Sequence, residues 1–229
     1  MRLKRKYLLL LGLGLYLCLQ AGGIAWSQVT ERVSVDSAGN EGNSASADPS
    51  TSSDGRYVAF ESSAPDLVAP VTNGNAHIFV RDLLAGTTTL VSVDSTGAEG
   101  DNNSNFPSIS SDGRYVAFES DAANLVVGDT LGFSDVFVHD RQTGATTRVS
   151  VDLAGVEDTG DSNNPSISAD GSSVTFQSDA DDLVAGDTNF APDIFVDDLQ
   201  AGAGEGGGGG SSSGGGGCFI ATAADRFGW

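Results

Sequence analysis

The 229 residues carry 31 acidic side chains against 11 basic ones, a formal net charge of −20, and only two cysteines. So acidic a surface repels phosphate backbones and argues against a nucleic-acid partner. Two cysteines build no disulfide framework, so a hydrophobic core must hold the fold, within a length that suits one or two domains.

The chain opens on a secretory signal. Arg2, Lys4, Arg5 and Lys6 precede an apolar run, Tyr7–Leu19, and a small-x-small pattern, Ala25-Trp26-Ser27. The run is too short for a comfortable membrane span. Residues 1–27 are therefore expected to be removed, leaving an exported chain with no transmembrane segment. Removal leaves seven arginines against the 31 acids, or 7 − 31 = −24, and Cys218 as the remaining thiol. Periplasm, cell surface and extracellular space are the compartments this predicts.

From Gln28 to Gln200 one pattern recurs three times. Asp54-Gly55, Asp112-Gly113 and Asp170-Gly171 are each 58 residues apart. Such a period indicates a solenoid, propeller or array, because one unit cannot bury its own apolar face. Asp-Gly between apolar runs is a tight-turn signal. The strand before it begins near Pro107 or Pro165; the strand after it alternates, with Val58 and Phe60, Val116 and Phe118, and Val174 and Phe176 on the core side.

Three related loops follow, at Ala64–His77, Ala122–Asp135 and Ala180–Asp193, where Leu67, Leu125 and Leu183 are expected to plug the loop onto the sheet. Next come Ile78-Phe79-Val80, Val136-Phe137-Val138 and Ile194-Phe195-Val196, apolar enough for central strands. The residue after each triplet is Arg81, His139 or Asp197, and that variety predicts exposure. A Gly-containing turn and a Thr/Val strand close each unit.

The expected fold is all-β, with propeller-like blades in three four-stranded antiparallel repeats. After Gly202 the Thr/Val strand is missing, while a strand of that type stands spare at Thr30–Asp36. The last blade could be completed by this N-terminal strand, which would remove two open edges. Three blades are too few for a ring. A homodimer closing six blades, an open wedge, and a loss of repeats all remain open. Residues 201–217 form a Gly/Ser linker and 218–229 a tail.

The best candidate site is the loop acid pair. Asp129 and Asp135 hold it in copy two; Asp187, Asn189 and Asp193 hold it in copy three; copy one has Val71, Asn73 and His77 instead. Oxygen donors at this spacing suit Ca²⁺. They also suit local turn bonding to backbone amides. No Gly-x-Ser-x-Gly elbow, zinc-ligand spacing or phosphate-binding loop is present, so no catalytic residue and no organic cofactor are assigned.

The hairpin SSDGRYVAFES, the loop LVxGDT and the strand DVFVHDRQTGATTRVSV resemble the TolB-type β-propeller repeat over about Gln28–Gln200. That resemblance implies an exported propeller that takes a protein or glycan ligand on a face. The tail GGGGCFIATAA resembles the C-terminal CFI-box of exported bacterial proteins, with Asp225–Trp229 where that box continues with Tyr-Gly. It implies an anchoring or modification role for Cys218. The expected function is a non-enzymatic binding or scaffold module of the bacterial cell envelope or surface. The alternative is a carboxylate-dependent hydrolase or the remnant of a propeller-containing peptidase.

Overall fold

The computed structural model describes residues 29–69, 71 and 73–199. The expected signal peptide, linker and tail, with Cys218, lie outside the described residues. The chain divides after Arg32. Val29–Arg32 is exposed and forms neither helix nor strand. Among the described residues, all the strands lie between Val33 and Leu199.

There are eleven strands and no helix among the described residues. The first sheet has β1 (Ser46–Thr51), β2 (Tyr57–Ser62), β3 (His77–Asp82) and β4 (Thr87–Leu90) in that order, all antiparallel. The second repeats it with β5 (Ser104–Ile109), β6 (Tyr115–Ser120), β7 (Asp135–Asp140) and β8 (Ala145–Arg148). The third has β9 (Ser162–Ile167), β10 (Ser173–Ser178) and β11 (Asp193–Asp198), three strands among the described residues. The molecule is thus all-β, a series of propeller-like blades in 58-residue register.

The turns form for local reasons. Asp112 accepts from the Ser110 hydroxyl at 2.6 Å and from the Arg114 amide at 2.9 Å, and Gly113 takes φ +73°. Asp54 and Asp170 hold the other two turns in the same way. These bonds pull all three carboxyls below the ordinary range, led by the serine hydroxyl in each case.

The first strand of each blade starts three residues before the proline that appeared to begin it. Its ladder skips two residues, Asp48-Pro49, Phe106-Pro107 and, in the third blade, Asn164-Pro165. The first residue of each pair has φ near +50°. Proline has no N–H to give the ladder, so a bulge forms there. In blade three the displaced amide of Asn164 turns to the preceding blade and donates to Glu119 at 2.9 Å.

Blades stack face to face. Val58, Phe60, Val116, Phe118, Val174 and Phe176 are all buried, as alternation predicts. Ala59 and Ala117, on the opposite face, are buried too. Ala59, Ile78 and Val80 pack against Val116, Phe118 and Phe137 of the next blade, and Ala117, Val136 and Val138 against Val174 and Phe176. Tyr57 covers Gly113 of the next turn, and Tyr115 covers Gly171. Backbone bonds from Ser53 to Ser111 and from Ser111 to Ala169 tie successive turns together.

The triplets of β3 and β7 are buried on both faces, as central strands should be. Blade three breaks the pattern: Ile194 is 74% exposed and Val196 67% exposed, because no fourth strand or further blade covers them among the described residues. The segment Thr30–Asp36, expected to be a strand, forms only a bridge from Val35 to Glu41. Exposure of Arg81 and His139 is also corrected. Both are buried, Arg81 bonding the Thr88 hydroxyl and the Asp36 carbonyl, and His139 the Thr146 hydroxyl. The position varies while staying buried: both side chains reach the threonine seven residues on, Thr88 or Thr146.

Candidate functional site

The loop plugs form as expected: Leu67, Leu125 and Leu183 are buried. They fix the loop frame from which the candidate ligands project. In copy two, Asp129 comes from the loop after β6 and Asp135 opens β7. Glu157 joins them from the loop before β9, and the three carboxylates converge within 4.8 Å. Arg148, at the end of β8, supplies the positive charge. Its Nη1 lies 3.0 Å from Asp135, 3.2 Å from Glu157 and 3.8 Å from Asp129. The Ser150 hydroxyl also donates to Asp135.

Asp158 lies beside this group, buried. One carboxyl oxygen accepts from Ser162 at 2.6 Å and Ser178 at 3.4 Å; the other has no hydrogen-bond partner. Burial, then the Asp135 carboxylate, pushes Asp158 up to about 7. Asp129 is pushed up to about 6 by burial and then by Asp135. Burial raises Asp135 as well, against the pull of Ser150 and Arg148. Glu157 moves the other way: burial works to raise it, but the Leu131 and Thr130 amides and Arg148 outweigh that. An excess of carboxylates around one guanidinium favours retaining a proton among them.

Copy one keeps one acid there, Glu99 at the position of Glu157, and otherwise fills the place with neutral groups. His77 stands where Asp135 does, bonding Ser92 at 3.1 Å and Asn73 at 2.9 Å, and Asn73 donates to the Gly100 carbonyl at 2.6 Å. Burial lowers the pKa of His77. Leu90 occupies the position of Arg148, 58 residues earlier. In copy three, Asn189 donates to Asp193 at 2.8 Å, and Asp187 accepts from the Asn189 amide at 3.4 Å. These three residues line an open depression of 510 Å³ with Val184, Ile194 and Phe195.

The structure therefore brings Asp129 and Asp135 together, and Asp187, Asn189 and Asp193 together, as two separate sites. Sequence reasoning missed Arg148, Glu157 and Asp158. A signal for two of them was present: three changes between copies one and two, Val71 to Asp129, His77 to Asp135 and Leu90 to Arg148, occur together at one register, with Gly100 to Asp158 beside them. Three carboxylates at this spacing are the oxygen set a hard cation takes, and in copy two Arg148 provides the counter-charge.

Two further acids are held by arginine. Arg56 grips Asp82 with two bonds of 3.0 and 2.7 Å, and Arg114 grips Asp140 with bonds of 2.9 and 2.7 Å. The guanidinium, aided by turn amides, lowers Asp82 to about 2 and Asp140 further.

No family model and no curated protein matches the chain. Among solved structures it is similar to TolB from Acinetobacter baumannii, at 22% identity and a TM-score of 0.43, over 69% of this chain and 31% of that one. It is similar to a TolB of Agrobacterium tumefaciens at 17% identity and a TM-score of 0.42, over 66% of this chain and 44% of that one. The acylaminoacyl peptidase of Pyrococcus horikoshii gives 15% identity and a TM-score of 0.41, over 69% and 23%. The chain thus spans less than half of the structures it matches. Its own sheet order makes it an all-β chain of propeller-like blades, similar in its described region to part of the TolB propeller structures.

Proposed function

We propose that this chain is an exported, non-enzymatic binding or scaffold module of the bacterial cell envelope or surface, taking a protein or glycan on the blade end that carries its variable loops. The observation that carries this reading is the contrast within those loops. Their leucine plugs are buried in every copy, while Val127, Leu131, Phe133 and Phe190 at the tips are exposed and differ between copies. A repeated frame that presents varied apolar tips is what a recognition surface requires. Export rests on the basic and apolar start of the sequence, Arg2–Leu19.

Fusion of residues 1–40 to an alkaline phosphatase that is active only outside the cytoplasm tests export. Activity in intact cells supports it, and an inactive fusion overturns it. For binding, the full chain is screened on protein and glycan arrays, and Leu131→Asp with Phe133→Asp should abolish any hit. A hit unaffected by both changes would move the site elsewhere.

A second reading, a carboxylate-dependent hydrolase, draws on Asp129 and Asp158, two acids with raised pKa values that each interact with Asp135. Turnover of glycan or peptide substrates, lost on Asp129→Asn, would favour it over binding. Calcium is the third proposal, as an occupant of Asp187, Asn189 and Asp193 that excludes a protein cation there, since Asp129 and Asp135 have Arg148 as counter-ion. A melting temperature raised by millimolar Ca²⁺ in the parent but not in Asp193→Asn supports the cation; an unchanged melt removes it.

A further inference from the structure

The open side of blade three has a specific shape and charge. Among the described residues β11 pairs with β10 alone, while β3 and β7 each carry a further strand. Ile194 and Val196 are exposed where Ile78, Val80 and Val136 are fully buried. Beside that edge lie Asp187 and Asp193.

The two complete blades show which fourth strand goes with which loop. Val71 and His77 go with Leu90; Asp129 and Asp135 go with Arg148, whose Nη1 sits 3.0 Å from Asp135. Blade three has the acidic pair. The segment whose register would supply the matching strand is Thr30–Asp36, and it places Arg32 at the position of Leu90 and Arg148, with Ser34 at that of Ser92 and Ser150. The same copy is poorly placed to supply it. The Val35 carbonyl accepts from Thr88 and the Asp36 carbonyl from Arg81, which anchors the end of the segment on blade one.

We propose that a second copy of this chain docks its Thr30–Asp36 segment as the fourth strand on β11, with Arg32 of that copy entering the site of Asp187 and Asp193. Strand addition satisfies the edge amides and carbonyls of β11. Arg32 supplies the counter-charge that Arg148 supplies in blade two, and Ser34 donates to Asp193 as Ser150 does to Asp135. The next blade along is then blade one of the partner, which covers Ile194 and Val196.

A second feature agrees. At the internal junctions the bulge residues Phe106 and Asn164 meet Glu61 and Glu119 of the preceding blade. At the proposed junction the bulge residue is Asp48, and the aligned position in blade three is Gln177, so no like charges meet. Ser173 replaces Tyr57 and Tyr115 there, so the junction lacks the aromatic clamp and is weaker than the internal ones. Reciprocal docking of two copies gives a two-fold arrangement of six blades.

The purified full chain is tested by sedimentation velocity from about 1 to about 100 µM, a range spanning weak self-association. The wild type forms a dimer within it. Arg32→Glu and Asp193→Arg each weaken the dimer about tenfold or more, because each removes the charge pair at both junctions. Mixing the two variants restores it, because each junction of the mixed dimer again pairs opposite charges. Amide exchange at Ile194–Val196 slows with rising concentration in the wild type. A monomer at the top concentration, a dimer indifferent to Arg32→Glu, a mixture that stays monomeric, or concentration-independent exchange at β11 overturns the proposal. Protection of β11 by another protein, with no self-association, also overturns it and assigns the edge to that partner.

Discussion

Asp112 shows how much one side chain sets in this chain. Its Oδ1 ties the serine two residues before it to the amide two residues after it, so the hairpin is closed before any tertiary contact forms. Asp112→Ala should cost about 1 kcal/mol, the usual worth of such bonds, read as a lower urea midpoint. Gly113→Ala should cost more than Gly97→Ala. Both glycines have positive φ, but a Cβ at Gly113 would run into the Tyr57 ring, while Gly97 has open space. The acids divide by sign. Asp82 is lowered to about 2, so its stabilisation is present above the unfolded carboxyl value of about 4 and lost as pH falls through the folded value. Asp158 is raised to about 7, so the stability it contributes is present below about 4 and lost as pH rises toward 7. The melting temperature should therefore rise from about pH 8 to about pH 5 and fall again in strong acid. Asp158→Asn should flatten the neutral limb alone, leaving the acid limb intact.

At the scale of strands and loops, the charged group of blade two behaves as one unit. Arg148→Leu leaves Asp129, Asp135 and Glu157 without a counter-ion in a buried place and should cost about 3 kcal/mol or more. The combination Arg148→Leu, Asp135→His and Asp129→Val installs the residues of blade one and should recover much of that loss. Chemical denaturation of the wild type, Arg148→Leu, the Asp135→His and Asp129→Val double variant, and the triple variant reads the non-additivity. This scale also shows what the sequence makes visible. Strand alternation and turn chemistry are local, so Val58, Phe60, Asp54 and the leucine plugs could be placed from pattern alone. The bulge at Pro107, the buried Arg81 and His139, and the meeting of Arg148 with Asp135 depend on which strand lies beside which. For Arg81 and Arg148 that information is spread over separations of 7 to 45 residues. Variation between copies at Arg81 and His139 suggested exposure, whereas both are buried against the equivalent threonines, Thr88 and Thr146.

Across the whole molecule, every internal junction is built from the same bonds. The Ser50 hydroxyl accepts from the Ile109 amide and that of Ser108 from the Ile167 amide, each 59 residues apart, beside the tyrosine that covers the next turn's glycine. Blade two thus carries both halves of a connector, one for the unit before it and one for the unit after. Blade two, which is flanked on both sides, keeps Tyr115, Arg114 and Glu119; blade three has Ser173, Ser172 and Gln177 there. A gene encoding such a unit can lengthen by unequal recombination in whole steps of 58 codons, because a duplicated blade two meets compatible neighbours at once. Insertion of a second copy of residues 94–151 after Val151 should therefore give a folded, longer chain, whereas the same insertion shifted by half a repeat should not.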